Sequence, residues 1–341
     1  MTHVLRALGV CTLSALAAAP AAAWDAHGHR LVTHLALDSF AASAPAWVLQ
    51  NDYRTRIAFE SNECDRWKGT PTHAINHVNR PEHFIDIEQL WPLGMTFDAL
   101  PPLRRSYIET ITVARTERGI EPLADADSGD AAQIYHYPGF LPHAILEHYE
   151  KLRASFTHVR VLESLDDPTR AEHLTQARAN AVYHMGMLSH FVADAAQPLH
   201  TTIHFNGWTG DNPEGYTTDT GFHARIDGGV LEHHGIDYAS VAGVSEVPVV
   251  DPADPWPVIL AHIGEAFELV EPLYVLERDG GLMEEEGKRF IEDRLRAGGA
   301  ALGALYAAAW EASEPTDAQA ADFVKYDNHR PDREPHHHPK P

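Results

Sequence analysis

The run His190-Phe191-Val192-Ala193-Asp194-Ala195-Ala196-Gln197-Pro198-Leu199-His200 is the stretch around which the rest of the chain is ordered. His190 and Asp194 stand one helical turn apart, so an imidazole and a carboxylate project from one face and can share a metal ion. Pro198 disfavours helix at Gln197 and offers no backbone donor, which ends the helix and turns His200 back from a loop. Leu188, Phe191 and Val192 form an apolar face beside these ligand-type side chains. Taken alone, His-x3-Asp reads more simply as an amphipathic helix with a buried histidine and a C-terminal cap. The remainder of the chain argues against that simpler reading.

Outward from this run, residues 170–197 carry one continuous helical pattern that ends on it. Residues 201–221 are a loop rich in Gly, Thr, Asn and Asp, after which Phe222-His223-Ala224-Arg225-Ile226-Asp227 resumes helix and repeats the His-x3-Asp spacing. Helix is also predicted over 29–50, with a second short helix starting near Pro45 and running past Leu49. Further helices are expected at 103–118, 141–165, 256–277 and 283–312, the last two separated by Gly280-Gly281. The region 51–102, rich in Pro, Asn and His, reads as a long loop with short helices, and a loop of that length in a compact domain is usually functional. No strand-type alternation and no internal repeat stands out, so the predicted class is all-α, in one domain over 24–313.

Composition narrows the setting. Residues 1–23 combine a basic residue, Arg6, with an apolar stretch from Ala7 to Ala19 and the small-residue end Pro20-Ala21-Ala22-Ala23, the pattern of a signal peptide cleaved before Trp24. The expected location is therefore secreted or periplasmic. No later segment approaches the roughly 20 apolar residues a membrane span needs. Removal of Cys11 with that leader leaves Cys64 alone, so no intrachain disulfide is expected. A formal charge of -23 with 24 histidines repels long polyanions at a distance, although bound divalent cations would create a local positive patch. From residue 314 to 341 Pro, Asp and His dominate, and this tail is predicted to be disordered.

More ligand-type residues lie upstream: His29 at the start of the first helix, beyond Trp24, and then Asp65 and His83. Zinc is usually held by three or four nitrogen and oxygen ligands, so this inventory would serve more than one ion. With these residues the chain resembles the zinc-dependent phospholipase C and nuclease P-one superfamily, all-α secreted enzymes with three clustered zinc ions. The matching positions are Trp24, His29, Asp65, His83, His190, Asp194, His200, His223 and Asp227, in the family's order. The resemblance implies that Asp65, His83, His190 and Asp194 hold one zinc, and His200, His223 and Asp227 a second. It assigns the third to His29, a bridging Asp194 and the freed amine and carbonyl of Trp24. It further implies a monomer that hydrolyses a phosphate ester by attack of a zinc-activated hydroxide, with Asp65 as the catalytic residue that positions or deprotonates the water.

The loop after His200 departs from the nuclease branch, where Asp-x-Gly-Gly-Asn is expected; it reads His204-Phe205-Asn206-Gly207-Trp208. Ile226 stands where a Trp is expected before the last carboxylate. The substrate is thus left between single-stranded nucleic acid or nucleotides and a phospholipid headgroup. The rival class is a periplasmic zinc-binding or storage protein without catalysis. Among other histidines, His143, His148, His233 and His234 are read as solvated, and Asp86 and Asp237 as acceptors that orient ligating imidazoles.

Overall fold

The computed structural model describes residues 24–70, 72–121, 130–243 and 246–326. Its helices in chain order are α1 (Ala26–Phe40), α2 (Asn51–Glu60), α3 (Glu63–Lys68), α4 (His73–Asn79), α5 (Arg104–Arg118), α6 (Leu141–Leu165) and α7 (Ala171–Ala196). Beyond the loop follow α8 (Phe222–Ala224), α9 (Val230–His234), α10 (Tyr238–Val241), α11 (Trp256–Phe267), α12 (Val270–Arg278), α13 (Glu285–Glu311) and α14 (Asp317–Tyr326). Among the described residues the only β pairing is two isolated bridges, Ile85 with Gly139 and Asp251 with Asp254, so the class is all-α. No helix among them is long and apolar enough to cross a membrane.

The organising element is α7. Every residue from Met185 to Ala196 is buried, because this half of the helix is apolar or small all round and is enclosed by α1, α2, α6, α11 and α13. A buried helix tolerates polar side chains only where they have partners. Ser189 meets this condition through the hydroxyl of Thr33 at 2.8 Å, leaving His190 and Asp194 to the site described below. The stretch of small residues around Gly298 to Gly303 lets α13 lie close along α1.

Several boundaries differ from the sequence expectation. Residues 45–50 form turns, and the second helix begins at Asn51, inside the region read as loop. The segment 256–277 breaks after Phe267, because Pro272 has no N–H to give the carbonyl of Glu268; α12 restarts with the proline in its first turn. The predicted disordered tail is corrected over Asp317–Tyr326, which is helical. A reciprocal cap starts it: Gln319 N–H donates to the Thr316 hydroxyl oxygen at 3.2 Å and Thr316 N–H to the Gln319 side chain at 2.9 Å. Phe323 then packs on His158 with ring centroids 4.8 Å apart. The leader over 1–23 and the tail beyond Tyr326 lie outside the described residues.

His143 and His148 are not solvated, as expected from sequence, but buried. They sit on the inward face of α6, where His148 stacks on Phe191 at 5.4 Å. Burial lowers the pKa of His143 from 6.5 to about 4 and that of His148 to about 3. The folded value lies below the unfolded one, so the neutral ring's contribution is complete above about pH 6.5 and is lost as pH falls toward the folded pKa, at up to about 1.4 kcal/mol per pH unit for each histidine. Replacing His148 by Phe should flatten the acid side of the stability curve. Thermal unfolding followed between pH 7 and pH 4 should show a smaller loss of midpoint than in the parent chain; an identical slope would mean that His148 protonates without unfolding.

Candidate metal centre

The buried half of α7 delivers His190 and Asp194, and four other segments bring the remaining ligand-type side chains to them. His29 comes from the first turn of α1, which starts at Asp25: its carboxylate accepts from the N–H groups of His27 and Gly28. Asp65 comes from α3, and His83 from the 3-10 turn Arg80–His83. His200 ends the 3-10 turn Pro198–His200 that stops α7. His223 lies on α8 and Asp227 in the π-helical turn Arg225–Gly229. Such turns recur at functional sites.

Three groups of ligand atoms result, each with members within 4.8 Å of one another: His29, His190 and Asp194; Asp65, His83 and His190; and His200, His223 and Asp227. All eight predicted side chains therefore meet in one place. Asp194 is the hub, with Oδ2 2.9 Å from His83 Nδ1 and 3.4 Å from His190 Nε2, and Oδ1 3.5 Å from His29 Nε2. Trp24 is fully buried and donates its indole N–H to the Ala193 carbonyl at 2.9 Å, while Asp25 N–H reaches the Asp227 carbonyl at 3.0 Å. The predicted ninth position thus sits against both carboxylate-bearing segments.

Backbone carbonyls aim the imidazoles. His190 Nδ1 donates to the Ser61 carbonyl at 2.7 Å, and His200 Nδ1 to the His83 carbonyl. With Nδ1 occupied as donor, each ring turns the lone pair of Nε2 inward, the state a metal ligand requires. The expected orienting carboxylates do not do this. Asp237 caps α10, and Asp86 accepts from Gln89, its own pKa raised to about 8 by burial. Sequence reasoning also missed Gln197, whose amide donates to Asp227 Oδ1 at 2.8 Å and whose oxygen accepts from Leu199 N–H at 2.6 Å. Its place directly before Pro198, at the end of a buried helix, was the available signal.

Close backbone approach makes this geometry possible. A Cβ on Gly186 would come within 2.2 Å of the Glu60 Cβ, so only glycine lets the end of α2 press onto α7, one turn before the histidine that bonds to Ser61. The strap Phe84–Ile87 links the two sides: Ile85 N–H donates to the His200 carbonyl at 2.9 Å, and Asp86 N–H to Pro138 at 2.7 Å. Gly139, at φ +123°, lies so close to the Phe84 carbonyl that a Cβ there would be 2.1 Å from it.

Electrostatically the centre is a demand for cations. Burial holds His83 and His200 well below the usual histidine range and lowers His190 and His223 to about 3, so the imidazoles are neutral ligands. Burial also pushes Asp194 and Asp227 well above the usual carboxylate range. Asp194 Oδ1, Asp227 Oδ2 and His83 Nε2 are buried with no hydrogen-bond donor or acceptor among the described residues. An unsatisfied buried polar atom costs roughly 1–3 kcal/mol, and more when charged. The carboxylate oxygens and imidazole nitrogens that gather within 4.8 Å of one another in each group fit divalent metal ions of the borderline class. Among the described residues the one ammonium at the site is Lys68, 2.6 Å from Asp65 Oδ1 and one turn after it on α3. That spacing was visible in Asp65-Arg66-Trp67-Lys68 and went unread.

The centre opens on one side into a cavity of about 230 Å³ lined by Lys68, His83, His200, Phe205 and His223 among others. A larger cavity of about 800 Å³ between α6, α7 and α14 touches none of the candidate ligands. Phe205 faces the smaller cavity, whereas Trp208 and Tyr216 pack the loop itself against Tyr274, with centroids 5.2 and 5.5 Å away. Compared with family models, with curated proteins and with solved structures, the chain matches none.

Gly186→Ala should lower stability by about 1–3 kcal/mol through overpacking, more than offsetting alanine's helical advantage. Gln197→Leu, which leaves Asp227 Oδ1 without its donor, should weaken divalent-metal affinity by about 10- to 100-fold. Denaturant unfolding checks the first and competition with a chromophoric chelator the second; unchanged affinity in the Leu variant would remove Gln197 from the site.

Proposed function

We propose that the chain is a secreted zinc-dependent hydrolase of phosphate esters, built on the phospholipase C and nuclease P-one plan. The observation that carries this reading is the convergence on Asp194, a carboxylate within reach of His29, His83 and His190, with His190 common to two of the three candidate ligand groups, next to a small cavity. Storage needs many loose sites; here single ligands from separate segments are aimed by backbone carbonyls at common points. In the proposed arrangement Asp65, His83, His190 and Asp194 hold one zinc, His200, His223 and Asp227 another, and Trp24, His29 and Asp194 a third.

Bound zinc would supply Lewis acidity toward a phosphoryl group and a water ionising near neutral pH. The chain's own residues do the rest. Asp65 is the one carboxylate of the centre with appreciable exposure, 14% against 0% for Asp194, so it is the group able to meet an entering water and take its proton. Lys68, held beside it, places an ammonium where phosphoryl oxygens gather charge. Leu199 and Phe205 give the cavity an apolar wall that limits water. Trp24 can offer an amine only in a chain cleaved before it, and an amine binds metal only when deprotonated.

Turnover of bis-p-nitrophenyl phosphate, abolished by a chelator and restored by zinc, is the expected result. A protein that binds several zinc ions and turns over no phosphate ester would instead be a storage protein. Asp65→Asn should cut kcat by about 10²- to 10⁴-fold while most of the metal is retained; normal turnover would exclude it from the mechanism. Extra residues left before Trp24 should remove one zinc by elemental analysis and most of the activity, and equal zinc content with and without them would sink the amine assignment.

A further inference from the structure

We infer that the cavity between α11 and α13 is a second ligand site, apart from the candidate metal centre, where Arg294 binds the carboxylate of a small aliphatic acid such as a medium-chain fatty acid. The cavity measures about 770 Å³, within the range of small-molecule pockets, and none of the candidate metal ligands lines it. Its shape follows from side-chain size. On α13 the lining positions Arg294, Ala297 and Ala301 recur at i, i+3 and i+7, and on α11 Val258, Ala261 and Glu265 repeat that spacing, so each helix turns one face to the space. Alanine on both faces leaves the gap between them unfilled. Residues 246–249 form a further wall, where Val249 is 92% and Val247 45% exposed, apolar surface that an aliphatic chain would cover.

The polar anchor is Arg294. It is half-buried, and its Nη1 is buried with no hydrogen-bond partner. Glu246, Glu265 and Asp293 also line the cavity, yet among the described residues none forms an ion pair with it. Asp293 is held instead by Arg296 at 3.1 Å, and the other two acids are exposed. Arg296 itself is engaged, reaching the Ser240 carbonyl at 2.7 Å and Glu292 at 3.2 Å. Burial holds Arg294 below the usual arginine range even with Glu265 and Asp293 nearby. A guanidinium drawn out of water without a counter-ion is costly, and its planar fork matches a carboxylate through two parallel hydrogen bonds.

The same lining selects among anions. A singly charged head is the one least repelled by the three acids, so a carboxylate is favoured over a phosphate dianion. A peptide C-terminus would bring amide groups that side chains of Ala, Val and Pro cannot pair. His262 does not supply that pairing with Nε2, which donates to the Val192 carbonyl at 3.1 Å.

The test is calorimetric titration of decanoate and of decanol into the full chain, as parent, Arg294→Gln and Arg294→Lys. The expected result is one decanoate per chain, an affinity at least tenfold weaker in Arg294→Gln and partly recovered in Arg294→Lys, with decanol binding parent and Arg294→Gln alike. Without ligand, the thermal midpoint of Arg294→Gln should be no lower than that of the parent, because the substitution removes an unpaired charge. A lowered midpoint would assign Arg294 to a structural ion pair in solution and overturn the inference. So would decanoate binding that is absent, or equal in parent and Arg294→Gln. Tighter binding of the peptide N-acetyl-Ala-Val-Val than of decanoate would overturn it in favour of a peptide terminus. No turnover enters these readouts, so either reading can fail without the other.

Discussion

A carboxylate sealed inside a protein must be neutralised, either by a proton or by positive charge brought to it. Asp194 is fully buried on a helix that is itself buried, and among its nearest neighbours are His83 and His190, imidazoles that burial keeps uncharged. Lys68 touches Asp65 and does not reach Asp194 as an ion pair. Without cations the centre therefore leaves Asp194 and Asp227 as carboxyls whose pKa burial pushes well up, beside unused lone pairs. With divalent cations, the same atoms become a matched ligand set. The rest of the architecture follows from having to bring further ligands to that one carboxylate.

The way they are brought is by backbone more than by side chain. The Ser61 carbonyl reaches His190 because Gly186 lets α2 press onto α7, and the His83 carbonyl reaches His200 because the 84–87 strap is pinned on both sides. One segment thereby supplies a ligand with its side chain and aims another with its carbonyl. Gln197 does a similar double duty, shaping the turn after α7 and holding Asp227. Orientation set by main-chain groups is stiff, since it shifts only if the helices shift.

Charge is partitioned on two scales. The body of the protein is strongly acidic, whereas the cavity beside the centre carries Lys68 and Arg80 and no described carboxylate. A small anion of any kind would be repelled weakly by the distant surface and attracted within the cavity, where screening is less effective. The aromatic residues of the following loop divide accordingly: Phe205 faces the cavity, while Trp208 and Tyr216 stabilise the loop.

The sequence by itself determined the helical class, the extents of α5, α6 and α7 to within a residue or two, and the candidate ligands, because one-turn His-x3-Asp spacing and long apolar periodicities are local properties. It read less well where non-local contacts decide the outcome. Local signals were also at work at the break before α12, where Pro272 withholds an N–H, and at the helix 317–326, which the Thr316 and Gln319 cap starts; the start of α2 carries no side-chain cap to mark it. Only the tertiary structure decided which histidines gather into candidate ligand groups and which are packing, as with His143 and His148, since both kinds occupy inward helical positions. It also fixed the contacts of Lys68 with Asp65 and of Gln197 with Asp227, because convergence in space arises from helices remote in sequence, and which atoms aim an imidazole depends on how closely two backbones can approach.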